Sequence, residues 1–485
     1  MNIDNTEDGA TAGDFRDRLH RGAKLLMDTG EAATREEAYR LLRRYQFVCA
    51  VGPEVATSPT LQAALLTAVN SGRRCCLGGV RVMGCPEDAP LLTSGIAGRT
   101  TTLMEAIRSI APDAGSTGAD VAESGTPVVT FGSAERLVAD LQIAGAGLAA
   151  RVTFDGWCAG VAPMDGGFRL GEEREFSLTG VMAGALAVSE CFQHLRGNNV
   201  MAMRRTVGMS LWRPDVGITD RDAWHVETGP EVAGIPLPGE AWMLGLGHLG
   251  QAYLWALMML PYADPAQVRL VLQDDDALTE SSVSTGLLTD PGTVGQKKTR
   301  VMAARAEERG FQTRIVERRF DERLVIGSDD PQLLLCGVDN LRARRVLETP
   351  GFAEIIEAGL GHTAEEYLAI RLHTFPATRH PQAVWPSDTD DTDGADRLLS
   401  LPAYAALRAQ TRDGCGVVRV AGAAVGVPFV GAAAGALVIA EAIRAIMNGP
   451  RFEIMDMSLR DPVRRTPVGR RVASSQSVLG FALAK

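Results

Sequence analysis

The sequence has few aromatic residues and lacks the paired cysteines of a structural zinc site. Only 5% of its 485 residues are aromatic, whereas glycine occurs 52 times. Few aromatics with abundant glycine and alanine favour helices packed closely on sheets over an all-β sandwich. None of the eight cysteines belongs to a Cys-x-x-Cys pair, so we do not expect a cysteine-rich zinc site.

The sequence also lacks an excess of positive charge and an apolar amino-terminal run. Its 49 basic and 59 acidic residues give a net charge of −10, which argues against nucleic acid as the main partner. Residues 1–13 are polar and acidic, unlike a signal peptide. Cys49, Cys75, Cys76 and Cys336 lie in apolar runs and predict buried, reduced thiols. We therefore predict a cytoplasmic protein, and the Ala/Arg/Gly-rich composition is compatible with a bacterial source.

One stretch, residues 420–440, contains no charged residue and is long enough to span a membrane. It is mostly Ala and Gly, contains Pro428 and runs directly into Glu441 and Arg444. These features predict a buried helix after a Gly-rich turn, without membrane contact.

The chain length predicts roughly three units at about 150 residues each. With 46% hydrophobic and 22% charged residues, the composition is typical of a globular protein. We predict an α/β fold with two tandem Rossmann-like parallel-sheet halves behind a short helical amino terminus. The predicted parts are helices over 1–45, divided at Gly30, a first, degenerate half over 46–235, a second half over 236–450 with a crossover connection over 376–418, and a tail over 451–485.

Apolar runs alternate with helical stretches in both halves, which is typical of parallel sheets. A helix over 179–195 is predicted to close the first half. Gly/Ser-rich residues 113–126 and acidic residues 387–396 predict loops. The predicted strands are 47–51, 75–82, 128–131 and 150–154 in the first half, and 242–246, 268–272, 313–316, 333–337 and 354–357 in the second.

A short internal repeat supports two related halves. The sequence Ala-Gly-Ala-Leu begins at Ala183 and again at Ala434, followed at equal spacing by Glu190 and Glu441. A chance match in an Ala-rich chain is the alternative. Because both series begin with an apolar strand that ends in glycine, we interpret the first half as a copy that has lost its phosphate loop.

A Gly-x-Gly-x-x-Gly motif directly follows the first strand of the second half and opens a helix. Its glycines, Gly245, Gly247 and Gly250, allow a tight turn and present the helix N-terminus to a phosphate. Asp274 lies 24 residues beyond Gly250, at the end of the next strand, where it can accept ribose hydroxyls. The alternatives are a glycine turn that only packs and a solvated acidic loop.

These features fit a NAD site as well as an ATP site, and the following residues favour ATP. Lys298 comes before a helix, and Asp339 ends a strand in an Asp-Asn turn. A lysine can neutralise phosphate charge and a strand-end carboxylate can hold Mg²⁺, neither of which hydride transfer needs. The ordinary alternatives are a surface lysine and a turn or helix cap.

From about residue 242 to residue 449, roughly two-fifths of the chain, the order of these features resembles the ThiF/MoeB/ubiquitin-activating (E1-like) superfamily. That order is glycine loop, strand-end Asp, Gly-x-x-Lys, Asp-Asn-x-x-x-Arg and a Gly/Ala-rich helix. A degenerate half joined to an active half also resembles the larger members of the family. The resemblance implies ATP and Mg²⁺ as cofactors, with contacts from Gly245, Gly247, Gly250, Asp274, Lys298 and Asp339.

The resemblance implies an activity and partners as well. Such enzymes adenylate the C-terminal glycine of a ubiquitin-like protein, and many then capture it as a thioester on a cysteine. The implied partners are a ubiquitin-like protein and a conjugating enzyme, with either a homodimer or a pseudo-dimer within one chain. The metal-binding cysteine motifs of many family members are missing.

One family motif is altered. Where the family usually has Ser-Asn-Leu-x-Arg-Gln, this chain has Ser282, Thr285 and Gly286 in place of the Asn, Arg and Gln. Losing an arginine that offsets phosphoryl charge can lower a rate by about 10³–10⁵-fold. Either another basic residue compensates, with Arg204 and Arg205 as candidates beside their reading as surface charge, or the chain is not catalytic.

Cys415 is the candidate acceptor thiol. It lies in the crossover region between the acidic stretch and the Ala/Gly-rich helix, where the family often carries this residue. A nearby helix start or Arg412 could lower its pKa, and a plain buried cysteine is the alternative. The leading hypothesis is ATP-dependent activation of a ubiquitin-like protein with Cys415, Lys298 and Asp339 as catalytic residues. A non-catalytic E1-like scaffold and, third, a NAD-dependent oxidoreductase are the alternatives.

Overall fold

The polypeptide forms two α/β halves, each built on its own sheet. The computed structural model describes residues 16–114, 124–216, 229–361, 363–386, 397–410, 414–471 and 478–485. The predicted acidic loop 387–396 and most of the predicted loop 113–126 lie outside these ranges.

Two helices precede the first sheet, one on each side of Gly30 as predicted. They are α1, Arg21–Asp28, and α2, Arg35–Arg44. Thr34 caps α2 by accepting the backbone N–H of Glu37 at 3.1 Å. Residues of α1 are buried along nearly its whole length, so this segment belongs to the core of the molecule.

The first half holds a sheet with the strand order β2-β1-β3-β4-β5-β6. Strands β2, β1, β3 and β4 are parallel, whereas β5 and β6 are antiparallel to their neighbours. The elements of this half are β1 Gln46–Val51, α3 Pro59–Cys75, β2 Gly79–Met83, α4 Leu103–Ile110, β3 Val128–Phe131, α5 Glu135–Ile143, β4 Ala149–Asp155, β5 Cys158–Pro163, α6 Ser177–Arg196 and β6 Val207–Ser210.

The second half holds a sheet with the order β10-β9-β8-β11-β12-β13-β14-β15, in which the strands from β13 onward are antiparallel. A separate ribbon pairs β16 with β7. The elements are β7 Pro236–Pro238, β8 Glu240–Leu244, α7 His248–Met259, β9 Arg269–Gln273, α8 Glu280–Val283, α9 Lys298–Glu308, β10 Gln312–Val316, β11 Leu333–Cys336, α10 Leu341–Arg345, β12 Glu354–Leu360, β13 Ala369–Phe375, α11 Pro381–Val384, α12 Pro402–Gln410, α13 Gly414–Ala421, α14 Pro428–Ile446, β14 Phe452–Ser458, β15 Arg465–Gly469 and β16 Phe481–Leu483.

The two sheets share a strand order, to which the second sheet adds β10 at one edge and β15 at the other. Strands β2-β1-β3-β4 follow the order of β9-β8-β11-β12, and each parallel set continues into antiparallel strands. This correspondence confirms the predicted fold class of two related α/β halves. The antiparallel strands are a difference from the prediction, which had parallel sheets only.

The internal repeat has a structural basis. α6 packs on α3 in the first half as α14 packs on α7 in the second. A Cβ added to Gly184 would lie 2.3 Å from the carbonyl oxygen of Ala64, and one added to Gly435 would lie 2.5 Å from that of Ala252. The repeated glycine therefore marks the close crossing of equivalent helix pairs, and α14 also packs on α6 to join the halves.

Two segments have further partners that the sequence pattern did not indicate. The helix expected to close the first half, α6, is followed by β6, which pairs with β5. The segment predicted as a tail, 451–485, supplies β14 and β15 to the second sheet and β16 to the ribbon. Antiparallel pairing of this kind depends on contacts far apart in sequence, which short apolar runs do not reveal.

One helix among the described residues, Pro428–Ile446, is long and apolar enough to span a membrane by length and composition alone. In the structure 94% of its most apolar window is buried inside the protein. The helix packs on α7, α6 and α3, in agreement with the predicted buried helix.

Candidate nucleotide-binding site

The glycine loop lies between β8 and α7, at the carboxyl end of the parallel strands. Gly245 adopts φ +80°, and a Cβ added to Gly250 would lie 1.9 Å from its carbonyl oxygen, so both positions require glycine. Gly247 is the N-cap of α7 and supplies no side-chain hydrogen bond. The first turn of α7 thus lacks a capping side chain, which suits a phosphate-binding helix N-terminus.

Asp274 contacts the glycine loop directly. Its Oδ2 accepts the backbone N–H of Leu246 at 2.7 Å, and its Oδ1 accepts that of Asp276 at 2.9 Å. The side chain is only 8% exposed. Each carboxylate oxygen retains acceptor capacity with which it can bind a ribose hydroxyl.

Lys298 is fixed beside the same acid rather than lying free on the surface. Its Nζ is 2.8 Å from Asp276 and 3.5 Å from Asp274. Burial lowers the pKa of Lys298, but these two carboxylates together raise it above its ordinary value. The structure therefore brings a charged ammonium, the strand-end acid and the glycine loop together.

Asp339 follows β11 next to the loop. A Cβ added to Gly245 would lie 2.7 Å from Cγ1 of Val338, and Asp339 is the next, exposed residue. Asn340 caps α10 by accepting the N–H of Arg342 at 2.9 Å, so the turn also has a structural role. An exposed carboxylate is a suitable single protein ligand for Mg²⁺, which keeps several waters and binds substrate phosphates.

Asp274, Asp275 and Asp276 have carboxylate oxygens within 4.8 Å of one another. Lys298 pairs with two of them, and Arg319 lies 3.5 Å from Asp275. These two cations already pair with all three carboxylates, so we assign no metal to the cluster.

The altered family motif is shaped by Gln251. A Cβ added to Gly286 would lie 2.5 Å from Gln251 Oε1, so the longer residue of the family would require the Gln251 side chain to move. Gln251 accepts the N–H of Leu288 at 3.0 Å and donates to the carbonyl of Leu246 at 3.2 Å. These hydrogen bonds of Gln251 join the segment that contains the altered motif, residues 281–289, to the glycine loop.

Arg21, from α1, reaches this segment. Its N–H donates to Ser284 Oγ at 3.1 Å, and its Nη2 donates to Ser281 Oγ at 3.3 Å. Its Nη1 is buried and has no hydrogen-bond partner in the part of the chain that the structure describes. Burial lowers the pKa of Arg21, and Asp339 is among the carboxylates that oppose this shift. An arginine thus stands at the segment that lacks the family's own.

The arginines suggested by sequence are engaged elsewhere. Arg205 lies 3.8 Å from Glu190 and 3.9 Å from Asp461. Arg204 contacts the carbonyl of Val200 at 3.5 Å. Sequence reasoning missed Arg21 and Gln251, and the 263 residues between Arg21 and Ser284 explain why no local pattern pointed to it.

Cys415 has a helical backbone, because α13 begins at Gly414. Its side chain lies outside the described part of the chain, so its role as acceptor stays a prediction. Burial raises the pKa of five other thiols, namely Cys49, Cys75, Cys191, Cys85 (to about 11) and Cys336 (to about 12).

The equivalent position in the first half is filled by carboxylates. A 3₁₀ turn, Pro53–Ala56, replaces the glycine loop. The N–H of Thr60, in the first turn of α3, donates to Glu175 at 3.0 Å, and the N–H of Ser133 donates to Glu54 at 2.9 Å. Protein anions therefore take the donors that a phosphate would need.

Two related halves, one of them with a glycine loop, a strand-end acid and a half-buried lysine, fit the E1-like class of protein that the sequence motifs resemble. Two family models match the chain, the BilD N-terminal domain over residues 46–211 and the BilD C-terminal domain over residues 237–449. The bacterial E1-like protein BilD of Collimonas sp. (strain OK412) is 40% identical over 437 residues, 90% of this chain and 90% of the relative. The chain belongs to this family of bacterial E1-like proteins.

Solved structures are more distant. MccB of E. coli is 12% identical, with a TM-score of 0.32, over 67% of this chain and 94% of that one. The E. coli tRNA N6-threonylcarbamoyladenosine dehydratase TcdA is 16% identical, with a TM-score of 0.28, over 43% of this chain and 86% of that one. Similarity at this level bears on neither substrate nor mechanism.

Proposed function

We propose that this chain uses ATP and Mg²⁺ to adenylate the C-terminus of a ubiquitin-like protein. The substrate carboxylate would attack the α-phosphate of ATP, the bond between the α-phosphorus and its bridging oxygen would break, and pyrophosphate would leave. The observation that carries the proposal is the position of Arg21, whose buried Nη1 has no hydrogen-bond partner among the described residues and which lies at the segment where the family arginine is missing.

Each residue of the site has a role in this reaction. The N–H groups of α7 and the ammonium of Lys298 hold phosphate oxygens. Asp274 orients the ribose, and Arg21 offsets the charge that develops on the departing pyrophosphate. Mg²⁺ held by Asp339 would supply further neutralisation of phosphate charge.

A thioester step would follow on Cys415. Its thiolate would attack the acyl carbonyl of the adenylate, and AMP would leave as the carbon–oxygen bond breaks. The raised pKa values of these five thiols make those cysteines poor competitors as nucleophiles. A conjugating enzyme would then accept the ubiquitin-like protein.

The test begins with the nucleotide. Calorimetry with Mg·ATP and with NAD separates an adenylating site from an oxidoreductase, and we expect binding of Mg·ATP only. ATP–pyrophosphate exchange, with a small ubiquitin-like protein from the same gene neighbourhood, then measures adenylation.

Variants assign the residues in this assay. Arg21→Ala should slow exchange by about 10³-fold or more, whereas Arg204→Ala, which removes an exposed arginine, should leave the rate unchanged. Cys415→Ser should keep exchange and lose the DTT-sensitive adduct. An unchanged exchange rate in Arg21→Ala would remove Arg21 from the mechanism, and a DTT-sensitive adduct that survives in Cys415→Ser would exclude Cys415 as the acceptor.

The replacements Ser282, Thr285 and Gly286 favour a second candidate, an E1-like scaffold without catalysis. Gly286 packs directly against Gln251, so the fold accommodates the change at this position. Tight binding of the ubiquitin-like protein without any exchange would support the scaffold and contradict the enzyme.

A further inference from the structure

Arg74 of the first half forms hydrogen bonds to residues 283–289 of the second half, in the segment that contains the altered family motif. Arg74, near the end of α3, is 3% exposed. Its Nη1 donates to the carbonyl oxygens of Val283 at 2.6 Å and Thr289 at 2.8 Å, and its Nη2 donates to that of Leu287 at 3.1 Å. Three carbonyls of one short loop therefore converge on one guanidinium that comes from a helix of the other half.

Asn70, one helical turn before Arg74, reinforces this contact. Its Nδ2 donates to the carbonyl of Leu287 at 2.9 Å, and its Oδ1 accepts from Nε of Arg74 at 3.1 Å. The two side chains form one rigid donor surface against the loop.

The loop that Arg74 holds leads to the glycine loop. Leu288 and Thr289 donate to Gln251 Oε1 at 3.0 and 2.9 Å, and Gln251 Nε2 donates to the carbonyl of Leu246. If the carbonyl groups of this segment moved, Gln251 would move with them. The backbone of the glycine loop, which would face a phosphate, would then be displaced as well.

Arg74 is also connected to the helix that carries Arg21. His20 Nε2 contacts the carbonyl of Arg74 at 2.9 Å, while His20 Nδ1 accepts the N–H of Gly22 in the first turn of α1. Because Nδ1 accepts, the neutral ring carries its proton on Nε2 and donates to that carbonyl. Arg74 is thus linked both to residues 283–289 and to the helix that carries Arg21.

The charge of Arg74 is not explained by an ion pair. All its hydrogen-bond acceptors in the described chain are neutral, and burial lowers its pKa well below the ordinary value. The neighbouring Arg73, by contrast, pairs with Asp290 at 2.8 Å. A buried guanidinium with no carboxylate among its hydrogen-bond partners in the described chain is costly for stability, so a function in ordering the loop accounts for it better than packing does.

We infer that Arg74 is a positioning residue through which the first half orders the nucleotide site of the second. It acts on the nucleotide through the segment 281–289, Gln251 and the helix of Arg21. This inference rests on the proposed nucleotide site and assigns to the first half a part in the function of that site.

The test compares matched variants of two adjacent arginines in the full chain. Arg74→Lys and Arg74→Met are compared with Arg73→Lys and Arg73→Met. The Arg73 variants alter the ion pair with Asp290 but leave the hydrogen bonds to the three carbonyl oxygens in place. The measurements are the dissociation constant for Mg·ATP, the KM for ATP and kcat in pyrophosphate exchange, the melting temperature, and amide hydrogen exchange of residues 281–290.

We expect Arg74→Met to weaken Mg·ATP binding by about tenfold or more and to lower kcat, since small displacements in a site can reduce rates by about 10²-fold. The KM for the ubiquitin-like protein should stay unchanged, and amides of residues 283–290 should exchange faster. Arg74→Lys, which keeps the charge but cannot span three carbonyls, should be intermediate, and the Arg73 variants should stay within about twofold of wild type. If Arg74→Met does not fold, the comparison of Arg74→Lys with Arg73→Lys decides.

Equal Mg·ATP affinity and kcat in Arg74 and Arg73 variants would overturn the inference, as would a lower melting temperature with unchanged affinity. A wild-type chain that binds Mg·ATP but performs no exchange would contradict the proposed activity alone, and affinity and hydrogen exchange would then decide the role of Arg74. A wild-type chain that binds no Mg·ATP would contradict both.

Discussion

Glu190 and Glu441 occupy matching places in the two halves but have different electrostatic surroundings. Burial raises the pKa of Glu190 to about 7, against the weaker opposing effects of the Met203 N–H and Arg205. Burial also acts on Glu441, but Arg444 and Arg451 outweigh it and lower the pKa of that carboxyl. The repeat therefore preserves a buried acid whose cationic partners differ.

Glu190→Gln is predicted to stabilise the protein more as the pH rises from 5 to 7. In the folded wild type the carboxyl keeps its proton up to about pH 7, while in the unfolded chain it loses the proton near its ordinary value of 4.5. Wild-type stability therefore falls across this window, by about 3 kcal/mol in total, and the neutral glutamine avoids the loss. Melting temperatures of both proteins at pH 5, 6, 7 and 8 measure the difference.

The difference between the two melting temperatures should level off above about pH 7, because both states of the wild type are then ionised. A variant that is less stable than wild type at pH 8 would mean that Arg205 holds the ionised carboxylate favourably, and the prediction would be wrong.

At the scale of elements, α1 connects the nucleotide site to the helices of the crossover region. Lys24 and Asp28 form a buried ion pair in α1. Asp28 Oδ1 accepts the phenol of Tyr404 in α12 at 2.5 Å, and Lys24 Nζ donates to the carbonyl of Ala421 at the end of α13 at 3.3 Å. The helix that begins with Arg21 is therefore also in contact with the helix that contains Cys415.

Tyr404→Phe is predicted to destabilise this contact. The buried carboxylate of Asp28 would lose a donor, which costs about 1–3 kcal/mol, and α12 would lose its polar link to α1. Hydrogen exchange of residues 402–410 and the melting temperature measure both effects.

Tyr262→Phe is the matched control, because that phenol donates to a neutral carbonyl, that of Pro238, at 2.7 Å. Its effect should be smaller, and exchange in α12 should not change. Equal exchange of α12 in wild type and Tyr404→Phe would show that the phenol does not hold this helix.

The sequence predicted the features that depend on local pattern. The helices beside Gly30, the glycine loop and the alternation of strands and helices all follow from residues close together in the chain. It did not predict Arg21 or Arg74 at the nucleotide site, because their partners are more than 200 residues away. The geometry places Lys298 and Asp339 near the glycine loop, and the catalytic roles of Lys298, Asp339 and Cys415 stay predictions.

At the scale of the whole molecule, the two halves divide their roles through the charge at equivalent helix N-termini. The first turn of α7 is uncapped by side chains, whereas the first turn of α3 is occupied by Glu175. Burial acts to raise the pKa of Glu54, but hydrogen bonds from Ser133 outweigh it and lower that pKa. Glu54 therefore adds a second negative charge to this region of the first half. A phosphate approaching the first half would meet carboxylates in place of free N–H groups.

The chain is therefore predicted to bind a single Mg·ATP, in the second half. Gly250→Ala should abolish binding altogether, because the new Cβ would collide with the carbonyl of Gly245. Glu175→Gln should leave the stoichiometry unchanged, since the amide oxygen still accepts from Thr60. Titration calorimetry of wild type and both variants measures the number of sites, and residual Mg·ATP binding by Gly250→Ala would place a nucleotide in the first half and contradict this division of roles.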